Sequence, residues 1–242
     1  MTSSNLKILA IIPARGGSKS VPKKNIRNLN GKPLIAHTID AVNKIKDKFY
    51  RVVVSTDDEE ISEISQKYGA EVPFLRPAEL SEDKTPTYPV LQHAVQFVEK
   101  QDSTNIDLVM LLQPTAPFRT TQDILNCINL GQDLNTDSII SVVQVFSTHP
   151  ILMKKIENGL LTHYSVEEKE GTPRQLYDPP AYMRNGAIYL TKRDVLIKDN
   201  SIWGNSITPY IMPQERSYNI DDEIDFVTSE IMMKKNIKNQ TI

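Results

Sequence analysis

Between Ile11 and Asn25 the chain gathers two adjacent glycines, Gly16 and Gly17, with the hydroxyl of Ser18 and, among its cations, Arg15, Lys19 and Lys24. Glycines at such a place let backbone N–H groups approach phosphate oxygens with no side chain in the way. The cations stand at spacings that can surround a triphosphate. The segment is not a P-loop, because no Gly-Lys-Ser/Thr closes it, and it is not a dinucleotide fingerprint, because no third glycine follows. Taken alone, Gly16-Gly17 reads as a glycine turn beside solvated lysines. Pro13 and Pro22 flank the cluster, and Gly31-Lys32-Pro33-Leu34 enters a helix behind it; together they favour a polyphosphate cradle. Farther on, Gln113 and Thr115 fall just past an apolar run, at the edge where open α/β sheets bind ligands. Pro114 and Pro117 fit a structural turn there, which explains the prolines but not the glutamine. Asp221 and Asp222 open the last helical pattern, an ordinary capping arrangement. Cys127 reads as a small buried residue, His37 and His93 as structural, and no Ser-His-Asp hydrolase arrangement is legible.

The elements that must position these residues alternate. Residues 6–12 form an apolar run interrupted only by Lys7, as a buried parallel strand requires. Residues 13–25 are a loop. Pro33 then opens a helix in which Leu34, Ile35, Thr38, Ile39, Val42 and Ile45 recur at helical spacing. Strands are predicted at 51–56 and 72–75, with Asp57 capping the helix between them. A helix at 87–98, a strand at 106–112, a helix at 122–131 and a strand at 137–145 follow. This order predicts a mainly parallel sheet with helices on both faces. Residues 149–182 are polar and broken by prolines, which suits a hairpin excursion or dimerisation arm. Sheet pattern returns at 186–190 and 206–212, and an amphipathic helix is expected over 222–235. Residues 1–242 are thus expected to form a single α/β domain with an insertion at about 149–182.

Bulk composition bounds the partners. A net charge of −2 leaves no global basic field for nucleic acid or an acidic membrane, so an anionic ligand needs a local cluster. One cysteine excludes an internal disulfide and a Cys-rich zinc site. The start lacks a signal-peptide pattern, and no apolar run reaches the ~18 residues of a membrane span. A cytoplasmic protein is expected.

Several segments match a known signature in order: Arg15-Gly16-Gly17-Ser18-Lys19, Pro22-Lys23-Lys24-Asn25, Gly31-Lys32-Pro33-Leu34, Ser55-Thr56-Asp57 and Arg76-Pro77-Ala78-Glu79-Leu80. Then come Leu112-Gln113-Pro114-Thr115-Ala116-Pro117-Phe118-Arg119, Asn185-Gly186-Ala187-Ile188-Tyr189, and Ile220-Asp221 with Asp225. The set resembles the acylneuraminate cytidylyltransferases, the CMP-sialic acid synthetases and their CMP-legionaminic acid relatives. Each match alone is weak; the ordered set, spanning residues 6 to about 231, is specific.

That resemblance implies a Rossmann-like nucleotide-diphospho-sugar transferase fold with a hairpin-type dimerisation insertion. It implies attack of a sugar hydroxyl on the α-phosphorus of CTP, with loss of pyrophosphate, a displacement governed by positioning and charge neutralisation. Arg15, Ser18, Lys19, Lys24 and Asn25 match triphosphate-contacting positions, and Arg76 and Thr87 match cytidine contacts; Thr87 also suits a simple helix cap. Gln113 and Thr115 match contacts to acceptor and nucleotide, and Asn185 and Tyr189 match sugar-binding positions. Arg174 matches an arginine that reaches the neighbouring subunit's site, which implies a homodimer with composite sites. The family holds Mg2+ with an Asp-x-Asp pair, where this chain has Asn219-Ile220-Asp221. Asp221 is then the first metal ligand and helps deprotonate the attacking hydroxyl, whereas Asn219 offers only a neutral carbonyl. Arg15, Lys24 and Asp221 carry the catalytic roles.

A second departure is Arg184, which directly precedes Asn185 where many relatives place the arginine two residues ahead. On an extended segment it would project to the opposite face. Two rivals stand. A CMP-3-deoxy-octulosonate synthetase would show an acidic residue where Gln113-Pro114-Thr115 lies. A non-catalytic sugar-nucleotide sensor would explain Asn219.

Overall fold

The structure, a computed structural model, describes residues 6–132 and 135–240. Its main sheet holds six strands: β1 (Ile8–Pro13), β4 (Arg51–Ser55), β5 (Leu108–Leu111), β6 (Ser138–Val145), β9 (Ala181–Lys192) and β10 (Ile207–Ile211). Two short pairs lie outside it, β2 (Asn28–Leu29) with β3 (Lys32–Pro33) and β7 (Lys154–Glu157) with β8 (Leu160–His163). The sheet order is β10-β6-β9-β5-β1-β4. β1 runs parallel to β4 and β5, and β10 parallel to β6, while β9 is antiparallel to both its neighbours.

β1 shows why the sheet is covered on both faces. Its side chains alternate, Ile8, Ala10 and Ile12 joining one buried cluster and Leu9 and Ile11 the other. The first cluster is closed by α1 (Leu34–Asn43), α2 (Glu59–Lys67) and α4 (Thr121–Gln132), through Ile35, Ile39, Ile61, Ile124 and Cys127. The second is closed by α3 (Thr87–Asp102) and α5 (Arg193–Lys198), through Leu91, Val95 and Leu196. Cys127 is fully buried as expected. The last helix, α6 (Glu223–Gln240), buries Phe226 with Val21, Leu29 and Leu34, and so packs beneath the glycine loop.

Three expectations fail for identifiable reasons. No strand forms at 72–75: one isolated bridge, Thr56 to Leu75, lies there and another, Val53 to Glu71, just before it, with Pro73 interrupting a ladder between them. Asp58, not Asp57, caps α2; its Oδ1 accepts the Ile61 amide at 2.9 Å. β9 is longer than the predicted 186–190 and antiparallel. It also bulges: its pairing with β6 slips from Ile140–Tyr189 to Val142–Arg184, so Asn185 to Ile188 face Ser141 alone. Among the described residues, no helix is long and apolar enough to cross a membrane.

Candidate active site

The loops beyond the carboxyl ends of β1, β4 and β5 enclose a cleft of about 540 Å³. Arg15, Ser18, Lys19, Lys24, Asn25, Arg76, Thr87, Gln113 and Thr115 all line it. A second hollow, about 510 Å³, is lined by Gln113, Arg184, Asn185, Tyr189, Asn219 and Asp221 among others. Gln113 faces both. Arg174 joins neither; it lines a third hollow together with Met183, Ser217 and Tyr218, which also border the second.

The glycine loop is tied down at several points. The Ala14 amide donates to Ser55 O at 2.9 Å, and the Gly16 amide to Asp57 Oδ1 at 3.2 Å. A Cβ on Gly16 would stand 2.4 Å from Asp58 Oδ2, so only glycine permits this approach to the start of α2. Asn25 Nδ2 donates to Arg15 O at 3.0 Å, and Lys24 Nζ to Ile220 O at 3.0 Å. Ser20 Oγ donates to Asp221 O at 2.5 Å. The loop is therefore fastened to the segment that carries Asn219 and Asp221. Burial pushes the Lys24 ammonium down from its ordinary pKa, opposed by the Asp221 carboxylate.

Arg15 and Lys19 both pair with one carboxylate, Asp83, with Arg15 Nη1 at 3.0 Å from it. Hydrogen bonding from Lys19 holds the Asp83 carboxyl below its usual range. The two cations marked for an anion thus hold one. Arg76 lies buried beneath, its Nε on Ser81 Oγ at 2.9 Å and its Nη2 on Asp57 Oδ1 at 3.3 Å. Burial lowers its pKa and Asp57 opposes that. Asp57, the expected helix cap, thus bridges Arg76 to the glycine loop instead. Thr87 opens α3 after Pro86 at the cap position, and no side-chain cap bond forms there.

In the second hollow the bulge fixes Asn185. Its Oδ1 accepts Ser141 Oγ at 2.6 Å and the Ala187 amide at 3.2 Å, and its Nδ2 donates to Ser217 Oγ at 2.9 Å. Both ends of the amide are engaged within the fold. Gly186 (φ 73°) passes close to Gln113, and a Cβ there would stand 2.8 Å from Gln113 Oε1. Tyr189 is buried, which raises its phenol pKa against the nearby Arg184 charge. Arg184 borders the same hollow as Asn185 and Tyr189, but its guanidinium turns to the Trp203 ring while the Asn185 amide turns to Ser141, Met212 and Ser217.

The capping reading of Asp221 gives way as well. Asp222 Oδ1 accepts the Asp225 amide at 2.9 Å, and Asp225 Oδ2 accepts the amides of Asp221 at 2.9 Å and Asp222 at 3.2 Å. Those two residues serve the start of α6. The Asp221 side chain instead receives Asn219 Nδ2 at 2.8 Å. Asn219 Oδ1 is buried without a partner among the described residues. No cluster of three or more His, Cys, Asp or Glu suited to a metal occurs among them. A carboxylate and an unpartnered amide oxygen fit a hard cation that draws its remaining ligands from phosphates and water, the usual manner of Mg2+.

A family model for cytidylyltransferases matches residues 9–202. The chain belongs to the cytidylyltransferase family. It is 33% identical over 95% of its length to an N-acylneuraminate cytidylyltransferase of Escherichia coli O18:K1:H7, spanning 53% of that protein. It is 34% identical over 94% of its length to the CMP-N,N'-diacetyllegionaminic acid synthase of Campylobacter jejuni, covering 95% of it. A solved CMP:2-keto-3-deoxy-manno-octonic acid synthetase complexed with CTP superimposes with a TM-score of 0.67 at 18% identity, covering 95% of this chain and 99% of that one. That likeness is one of fold.

Arg119 was legible in the motif but not as a participant. It is buried, and burial pushes its pKa down to about 9, so it remains protonated at neutral pH. Its guanidinium donates to Ala187 O, to Gln113 O at 3.4 Å and to Thr38 Oγ1 at 2.7 Å. One buried cation therefore fastens the loop common to both hollows to β9 and α1. Two of its partners, Thr38 and Ala187, lie far off in sequence, so spacing could not reveal its role.

Proposed function

We propose that this cytidylyltransferase is a CMP-nonulosonate synthetase, joining CTP to an acidic sugar of the sialic or legionaminic type and releasing pyrophosphate. The observation that carries the reading is the pair of hollows meeting at Gln113, one rich in cations and the other bordered by Asp221. In this reading the triphosphate lies among Arg15, Ser18, Lys19, Lys24 and Asn25 and displaces the Asp83 carboxylate. Those cations neutralise the charge that develops on the departing pyrophosphate. Arg76 and Thr87 flank the cytidine. The acceptor sits against Gln113, Thr115 and Tyr189, with Asn185 shaping the wall, and its hydroxyl attacks the α-phosphorus from the Asp221 side. Asp221 takes up the hydroxyl proton. Mg2+ would be held by Asp221 with the Asn219 carbonyl and would supply charge neutralisation at the phosphates.

The names of the curated relatives support a nonulosonic acceptor. Gln113-Pro114-Thr115 carries no acidic side chain, against the 3-deoxy-octulosonate reading. The polar groups kept around Asn219 weigh against a mere sensor. We also propose a cytoplasmic homodimer: Ile156, Leu160 and Leu161 of the β7–β8 hairpin are 76%, 70% and 72% exposed, an apolar surface suited to a second copy. Arg174 would then serve the neighbour's hollow. The test is pyrophosphate release measured with CTP, Mg2+ and a panel of sialic, legionaminic and pseudaminic acids. Release is expected only when all three components are present; no release with any acid refutes the reading.

A further inference from the structure

Six arginines of this chain, Arg15, Arg27, Arg51, Arg76, Arg193 and Arg216, face a carboxylate. Arg184 differs. It borders the second hollow, and the contact its guanidinium makes among the described residues is with the Trp203 ring, 4.1 Å from the ring centroid. The acids of the same hollow are engaged elsewhere, Asp221 by Asn219 Nδ2 and Asp225 by the amides that open α6. No carboxylate of the hollow therefore pairs with Arg184, which stands exposed to solvent and open to an incoming anion.

The backbone explains how the charge comes to be there. Arg184 and Tyr189 are five positions apart, an odd interval that a regular strand would split between its two faces. The irregularity at Asn185 to Ile188, clamped by Ser141, removes that alternation, and both side chains line one hollow. The Arg184 charge is felt at the Tyr189 phenol, whose pKa burial raises and Arg184 lowers. Trp203 is anchored in turn, since its carbonyl accepts Ser138 Oγ at 2.6 Å at the edge of the sheet. A guanidinium held over an indole face still has N–H groups to offer, and these can match a carboxylate with two parallel hydrogen bonds.

We infer that Arg184, held against Trp203, binds the carboxylate of the acidic sugar in the second hollow, with Trp203 as its positioning residue. The inference rests on the functional reading above and names the group that selects an acidic acceptor. Neither residue lines the cation-rich cleft, so nucleotide binding is independent of both.

The test is steady-state kinetics with an accepted sugar acid and its carboxamide, on the wild type and on Arg184→Ala, Arg184→Gln, Trp203→Ala and Trp203→Phe. Loss of a charged hydrogen-bonded pair is expected to raise KM for the acid about 10- to 100-fold in both Arg184 variants. KM for CTP should stay within about twofold, since no CTP contact is lost. The wild type should prefer acid to carboxamide, and the Arg184 variants should not. Trp203→Ala should raise the acid KM about threefold to tenfold through the lost cation–π contact, with Trp203→Phe recovering most of it. An unchanged acid KM, or a retained preference for acid over carboxamide, in the Arg184 variants overturns the inference. So does loss of that preference in Arg174→Ala while the Arg184 variants keep it. A wild type that turns over none of the acids overturns the functional reading instead, and this one with it.

Discussion

The glycine loop and the second hollow lie side by side at the end of the sheet, yet their polar atoms are committed in opposite ways. In the loop, cations meet an internal anion, Asp83, and the backbone is fastened to Asp57, Ser55 and the 220–221 segment. In the second hollow, Arg184 has only an aromatic face, and Asn219 Oδ1 has no partner among the described residues. In the cation-rich cleft the charged groups are already paired and the loop that bears them is already fastened. The second hollow keeps a cation open to solvent and an amide oxygen without a partner among the described residues. Preorganisation suits the part of the reaction where charge develops, and unsatisfied groups suit the part that selects among similar sugars.

Arg119 joins the halves, so breaking it is the severest challenge to the comparison. Arg119→Met should lower unfolding free energy by about 2–4 kcal/mol, since buried acceptors on Ala187 and Thr38 lose their charged donor. Urea unfolding measures it, and a loss below about 1 kcal/mol would mean the halves are not joined there. Next come Arg15→Ala and Asp221→Ala, each expected to cut turnover about 100- to 1,000-fold with the melting temperature unchanged. Near-wild-type turnover in either removes that residue from the chemistry.

Asp123 probes the scaffold instead. Burial works to raise its pKa, but hydrogen bonds from Arg216, Thr120 and Tyr210 outweigh it and hold the carboxyl below 3.8. A carboxyl depressed in the folded state adds stability above its unfolded pKa and loses it as pH falls through the folded value. Asp123→Asn should therefore cost on the order of 2 kcal/mol at pH 7 and flatten the fall in stability below about pH 4. Equal acid limbs for variant and wild type would contradict this. The smallest effect is expected at Asp83. Without its charge, Arg15 and Lys19 need not exchange one anion for another, so Asp83→Asn should tighten CTP about threefold, and CMP less. Calorimetry would show weaker CTP binding if Asp83 instead holds the cations in place for the nucleotide.

The signals of the glycine-loop region are local: Gly16-Gly17, the lysines and the Pro33-Leu34 helix entry lie within one short stretch, and Arg15, Ser18, Lys19, Lys24 and Asn25 share one cleft. Asp57 and Asp58 were not separable on paper. Both precede the same helix, and what distinguishes them is the Gly16 amide far back in the chain. The alternation of strands and helices predicted the sheet, but not that β9 runs against its neighbours, since direction depends on the path through residues 149–182. The bulge that sets Arg184 and Tyr189 on one hollow has no signal in an alternating pattern. Asp221 looked like a cap until Asp222 and Asp225 were seen to serve α6.

The most direct test of the whole account is the mass of the product. The protein would be incubated with CTP, Mg2+ and an equimolar mixture of nonulosonic acids, and the nucleotide fraction weighed by mass spectrometry. The account predicts a CMP ester of one acid together with an equal amount of pyrophosphate. CTP recovered intact, or hydrolysed with no sugar attached, would contradict it.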